Sequence, residues 1–277
     1  MIKNKNKFIL FSFIVMATFM FTGCKNFDQI KVKIGIKNQD FEYIKQGRIK
    51  KITIQSTRDK SFRFVVTDEV AIKDLYEILS SAKEVDEKST LEPDYIFEMY
   101  EGVNKIHKFS YIAGLDEKNG ANLYSDDKSY IVSKRIDNDI IKNFWNIRKP
   151  INFEAVYYDS IIEVLDKHIK DEGKGEKIIL DISEDNEATK FMLSTDLESF
   201  KEKLLKDFNT VLLKDKETPY DKLITVKTEG YKSTIYKSSV TIKTNLDEKE
   251  KKYYVIAKYD KGTWKIETFE DEKPSGF

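Results

Sequence analysis

Arg48–Lys83 reads RIKKITIQSTRDKSFRFVVTDEVAIKDLYEILSSAK, and two periodicities meet inside it. Arg48–Ser56 and Ser61–Val66 alternate apolar and polar residues with period two, the pattern of half-buried strands. Thr57-Arg58-Asp59-Lys60 between them is polar and supplies the turn of a hairpin. From Asp68 to Lys83 the apolar residues recur at helical spacing instead. Ala71, Leu75, Ile78 and Ala82 form one stripe, joined by Ile72 and Leu79. Thr67 stands where a side-chain oxygen caps free amides, and Asp68 and Glu69 suit the positive end of a helix. A hairpin handing over to an amphipathic helix is the unit of an α+β fold.

The same order returns further on. Lys177–Ser183 and Ala188–Ser194 are expected to pair across Glu184–Glu187, and Thr195-Asp196-Leu197-Glu198 has the form of a capping box. The helix it opens carries Leu197, Phe200, Leu204 and Phe208 on one face. Both segments are followed by more strands. In the first half these are a hairpin of Asp94–Glu101 and Lys105–Ile112 turning at Gly102-Val103-Asn104, then short strands at Asn122–Ser125 and Ser129–Ser133. Strands near Lys222–Thr228, Ser233–Thr244, Lys251–Tyr259 and Thr263–Phe269 end the second half, with Gly262 free to take the left-handed position of the last turn. Ser80–Pro93 reads as a loop and Asp40–Gln46 as a helical turn closed by Gly47. Helices are expected over Asp137–Ile147 and Phe153–Lys170, and Pro150 between them forbids simple continuation. The expectation is two small α+β halves, each an antiparallel sheet with packed helices, over residues 30–149 and 150–277. Either an internal repeat or convergence of ordinary patterning accounts for their parallel order.

The N-terminus has a separate logic. Met1–Lys7 carries three lysines and no acid, Phe8–Phe21 is uncharged, and Thr22-Gly23-Cys24 follows. That is the order of a secretory signal. At about 1.5 Å per residue the apolar run reaches about 21 Å, short of the roughly 30 Å of hydrocarbon a span must cross. Phe21-Thr22-Gly23-Cys24 resembles the lipobox of bacterial lipoproteins, with Phe where Leu is usual. The resemblance implies that residues 1–23 are a cleaved signal peptide, that Cys24 receives a diacylglycerol, and that residues 24–29 form a short tether. The protein would then sit on the extracytoplasmic face of the cell membrane. Two acyl chains anchor stably where one is marginal. Cys24 is the single cysteine of the chain, so its lipidation would leave no thiol for disulfides, nucleophilic catalysis or metal binding. Ile30–Ile36 alternates like a strand, with Lys31 and Lys33 facing out.

Lys51–Ile54, Pro93-Asp94-Tyr95 and Tyr130-Ile131-Val132-Ser133 carry a second likeness. With these residues the first half resembles the YhfM-like domain of uncharacterised lipoproteins from Gram-positive bacteria. That family has no known catalytic residues, so the resemblance implies no site.

Composition excludes some functions. The chain holds 48 basic and 48 acidic residues, and removing residues 1–23 leaves an acidic excess of three. Phosphate binding needs the opposite excess, so nucleic acid is not an expected partner. Charged residues make up 35%, and 40% hydrophobic with 13% aromatic residues supply a core. His107 and His168 fall in different halves and suit packing better than catalysis, and one histidine among carboxylates is a poor zinc site. Gly173-Lys174-Gly175 lacks phosphate-loop spacing, and Asp116–Gly120 lacks the alternating acids of a calcium loop. Tyr124, Tyr253, Tyr254 and Trp264 suit a core better than a glycan groove. No motif implies a cofactor. Two readings remain: a non-enzymatic binding module meeting a protein partner at the cell envelope, or an envelope hydrolase working through paired carboxylates on peptidoglycan or peptide.

Overall fold

The computed structural model describes residues 37–141, 149–172, 176–213, 218–246 and 249–277. Cys24, the expected strand Ile30–Ile36 and Gly173–Gly175 lie outside the described residues. The architecture is α+β, with two sheets and two separate apolar cores.

The first core begins with α1 (Glu42–Lys45), which Gly47 ends at φ +70°. The opening stretch forms its hairpin, β1 (Ile49–Ser56) with β2 (Arg63–Val66), in the register Ile52 to Val66. Helix α2 (Glu69–Leu79) follows. Its cap is Asp68 rather than Thr67: the Asp68 carboxylate accepts the Ala71 amide at 2.8 Å. The helix stops four residues short of Lys83, because Lys83–Val85 is pulled into β3. Ile72, Leu75, Tyr76, Ile78 and Leu79 are buried on it, at about 1.5–3 kcal/mol for each large apolar side chain. The sheet continues through β4 (Tyr95–Glu101), β5 (Lys105–Tyr111), β6 (Leu123–Tyr124) and β7 (Ser129–Ile131). Its order is β2-β1-β4-β5-β6-β7-β3, antiparallel throughout. Ile136–Ile141 forms a turn of π-helix where an α-helix was expected, and the rest of that expected helix lies outside the described residues.

The second core is built on α3 (Phe153–Glu172), whose Val156, Tyr157, Val164 and Leu165 have no exposed surface. Strand β8 (Ile178–Asp181) does not turn back into a hairpin. Asn186–Thr189 is the short helix α4, and Ser194 already begins α5 (Ser194–Phe208). The expected strand Ala188–Ser194 is therefore absent. Its apolar residues are used as helix and turn contacts: Ala188, Phe191 and Met192 are buried in the core beneath β8 and α3. After β9 (Thr210–Leu212), the chain makes four long strands, β10 (Lys222–Lys232), β11 (Ile235–Thr244), β12 (Glu250–Asp260) and β13 (Thr263–Glu270). The order is β13-β12-β11-β10-β8-β9. β10 to β13 pair antiparallel, but β8 lies parallel to β10 and to β9. This sheet is mixed, and α5 is the crossover that a parallel pair requires. The two halves thus differ in topology, which is not the pattern of an internal repeat.

Ile151, just past Pro150, is fastened to the second half. Its amide donates to Ser233 O at 2.9 Å and its carbonyl accepts from the Trp264 indole at 2.7 Å. Among the described residues, no helix is long and apolar enough to cross a membrane.

Candidate functional site

The halves meet through side chains that sequence spacing does not bring together. Pro93 directs the chain into β4, and Thr57, in the β1–β2 turn, donates its hydroxyl to Pro93 O at 2.6 Å. This places Asp94, 2% exposed, against Arg58 and the start of α5. Arg58 Nη1 lies 2.5 Å from Asp94 Oδ1, and its Nη2 lies 2.5 Å from Ser194 Oγ. The Ser194 amide donates to Asp94 Oδ1 at 2.8 Å, the Ala113 amide to Asp94 Oδ2 at 2.9 Å, and Ser194 Oγ to Glu92 O at 2.7 Å.

A helix opens with amides that have no partner inside it. In α5 the first is answered by a carboxylate of the other half. Leu193 precedes the helix and offers no side-chain cap, so the capping box read from Thr195–Glu198 does not form. Thr195 turns its hydroxyl to Ala113 O at 3.4 Å instead. Gly114 holds φ +71°, and a Cβ there would stand 3.3 Å from that hydroxyl. Leu193 itself packs on the first core.

Burial pushes the Asp94 carboxyl up, opposed by the Arg58 charge and by the Ala113 and Ser194 amides. Asp137 is also raised by burial, against hydrogen bonds from the Gly114 amide and the Tyr111 hydroxyl at 2.9 Å each. Asp196, in the first turn of α5, is pushed up to about 6 by burial and then by the charges of Glu154 and Asp94.

A groove of about 750 Å³ runs beside this junction, within the roughly 300–1,000 Å³ usual for ligand sites. Arg58 and the loop Thr90–Glu92 form its first-half wall. β8, α5 and β9 form the other, through Ile182, Leu197, Leu205, Val211 and Leu212 among others. Leu205 is 58% exposed there. Its lining sets Leu197, Leu205 and Leu212 beside the charged Arg58, Glu92, Asp181, Glu198 and Lys201.

The residues weighed from sequence are scattered. His107 stacks on Tyr43 with ring centroids 3.9 Å apart and meets Glu101 at 2.6 Å. Arg48 and Lys105 hold the same carboxylate. Burial first, then those two cations, lowers the His107 pKa. His168 is buried in the other half, its Nε2 2.9 Å from Lys222 Nζ. Tyr253 is buried, Tyr254 meets Phe277, and Tyr124 lies in β6, so they line no common groove. Asp116 caps a short 3₁₀ turn, Glu117–Asn119, and no described cluster of His, Cys, Asp or Glu is placed to hold a metal. Sequence spacing does not mark Arg58, Asp94 and Ser194 as a site. Their only local signal is Pro93-Asp94, and Ser194 lies 100 residues from Asp94.

By class, this is a two-sheet α+β protein with a groove where its halves join. Residues 45–150 match the family model described as YhfM protein, the family that the first half resembles in sequence. The match spans the whole first sheet and ends where the second half begins. No curated protein and no solved structure matches the chain.

Proposed function

We propose that this is a lipid-anchored extracytoplasmic protein whose two halves form a non-enzymatic binding module at the cell envelope. Cys24 carries the diacylglycerol in this reading, and an envelope protein is the partner. The groove between the halves carries the proposal. It is of ligand size, lined in part by apolar side chains, and bounded by loops of the first half and by β8, α5 and β9 of the second. The state of the buried acids supports a binding role over hydrolysis. Asp94, Asp137 and Asp185 each accept hydrogen bonds from backbone or hydroxyl groups that fix the fold.

Two measurements test it. Fatty-acid labelling in cells is expected to mark the wild type and not Cys24→Ala; equal labelling would remove the anchor. A photo-crosslinking residue at Leu205 is expected to trap a protein in intact cells, and one at Val103, on the exposed β4–β5 turn, to trap none. Cleavage of purified peptidoglycan or peptide by the protein would replace the binding module with the hydrolase.

A further inference from the structure

We infer that the groove takes an extended polypeptide segment, apolar in the middle and flanked by lysine or arginine, which adds as a strand to the free edge of β9. This rests on the binding-module reading and names what is bound.

The backbone supplies the first part of the argument. β9 is the last strand of its sheet, and among the described residues only β8 pairs with it, on one side. Leu212 pairs with Leu180, and the Leu213 amide donates to Leu180 O at 2.9 Å. In a parallel ladder this turns the polar groups of residues 211 and 213 toward β8 and those of Leu212 outward. The outward amide and carbonyl of Leu212 offer a guest strand a point of pairing, of the kind that peptide recognition by strand addition uses.

Side chains supply the second part. A guest strand shows alternate side chains to the floor, where Leu197, Leu205 and Leu212 form an apolar surface. The rims decide its charge. Arg58 is held by Asp94, and Lys201 pairs with Glu198 at 3.2 Å. Glu92 on one wall and Asp181 on the other line the same groove, and neither forms an ion pair among the described residues. Among the described residues Asp181 accepts from Ser183, at 2.9 Å from its amide and 2.6 Å from its hydroxyl. The groove therefore offers one uncompensated carboxylate on each side of an apolar floor. A strand with cations at its ends complements that pattern, whereas an acidic strand is repelled.

The test uses the full lipoprotein in nanodiscs of zwitterionic phosphatidylcholine, titrated with end-blocked fluorescent peptides. KIVIVK is expected to bind, EIVIVE to bind about tenfold more weakly, and a KIVIVK peptide N-methylated at alternate residues likewise to lose binding. Glu92→Gln combined with Asp181→Asn should weaken KIVIVK about three- to tenfold and leave the melting temperature unchanged. Equal binding of the two peptides, indifference to N-methylation, or no binding at all overturns the inference. So does a non-covalent acyl lipid that co-purifies with the protein and is lost in Leu205→Lys, since a lipid would then be the occupant. If no peptide binds while Leu205 still traps a protein in cells, the ligand class is wrong and the binding module stands. If both fail, both are wrong.

Discussion

Asp94 in the first half and Asp185 in the second are both buried carboxylates, 2% and 3% exposed, and both are raised by burial. Their partners differ. Asp185 accepts from the Thr228 amide and hydroxyl at 3.1 and 2.8 Å, all within its own half and with no cation among those donors. Asp94 faces a guanidinium and caps a helix of the other half. The first arrangement completes a core. The second ties two cores together, so the same residue type serves cohesion in one place and coupling in the other.

Removing the two acids in parallel should separate these roles. Asp94→Ala leaves Arg58 and two amides without their acceptor, and about 3–5 kcal/mol of stability should be lost. Amide exchange should then quicken at Ser194–Asp196, in the half that was not mutated. Asp185→Ala strands neutral donors only, so about 1–3 kcal/mol is expected, with exchange altered in the second half alone. If Asp94→Ala leaves the start of α5 protected, the coupling role is wrong.

A cut between the halves is a milder challenge, because each keeps its own apolar cluster. Fragments 30–149 and 150–277 are proposed to fold separately. The second loses the carboxylate that accepts the Ser194 amide, worth about 1 kcal/mol as a helix cap. Thermal melts of the fragments decide. A non-cooperative fragment beside a single transition in the intact chain would mean that the halves share one core.

The smallest effect is in the pH profile. The folded Asp196 carboxyl holds its proton to about pH 6, while the unfolded one releases it near pH 3.9. The native state then binds the extra proton, so this contribution is full below about pH 4 and is lost as pH rises through about 6. Asp94, Asp137 and Asp185 shift in the same direction and add to the same slope. Urea midpoints between pH 4 and 7 should fall for the wild type and fall less for Asp196→Asn. An unchanged slope in the variant would place the dependence on the other acids.

Local pattern carried much of the fold. The hairpins β1–β2 and β4–β5 and the meander β10–β13 were legible because period-two alternation is interrupted by short polar turns, with Gly102 and Gly262 in two of them. Gly262 takes φ +89° as expected, and Lys261 joins it at +49°, so these two residues make the whole turn between Asp260 and Thr263. Non-local pairing was not legible. β8 finds its partner more than forty residues away in β10, and its short apolar run would suit a hairpin equally well. Ala188–Ser194 mixes apolar and polar residues in a way that strand, helix and turn all accept, and burial in the core with α3 decided for a short helix and a turn. The junction was out of reach for the same reason: nothing near Asp94 signals a helix that starts 100 residues later.

Asn38 has a mechanical consequence. Its amide donates to Ser80 O at 2.8 Å, and its side chain donates to Leu79 O and Ala82 O at 3.1 and 2.7 Å. The first described residues are therefore clamped across the end of α2, with Lys37 beside Glu77 at 3.4 Å. Tension applied at Lys37 is delivered to that clamp before it reaches β1. Several hydrogen bonds loaded together yield less readily than one strand peeled from a sheet edge. Under the proposed anchor at Cys24, a pull that reaches Asn38 would be borne there while the groove, built by the loop before β4 and by the second half, keeps its shape.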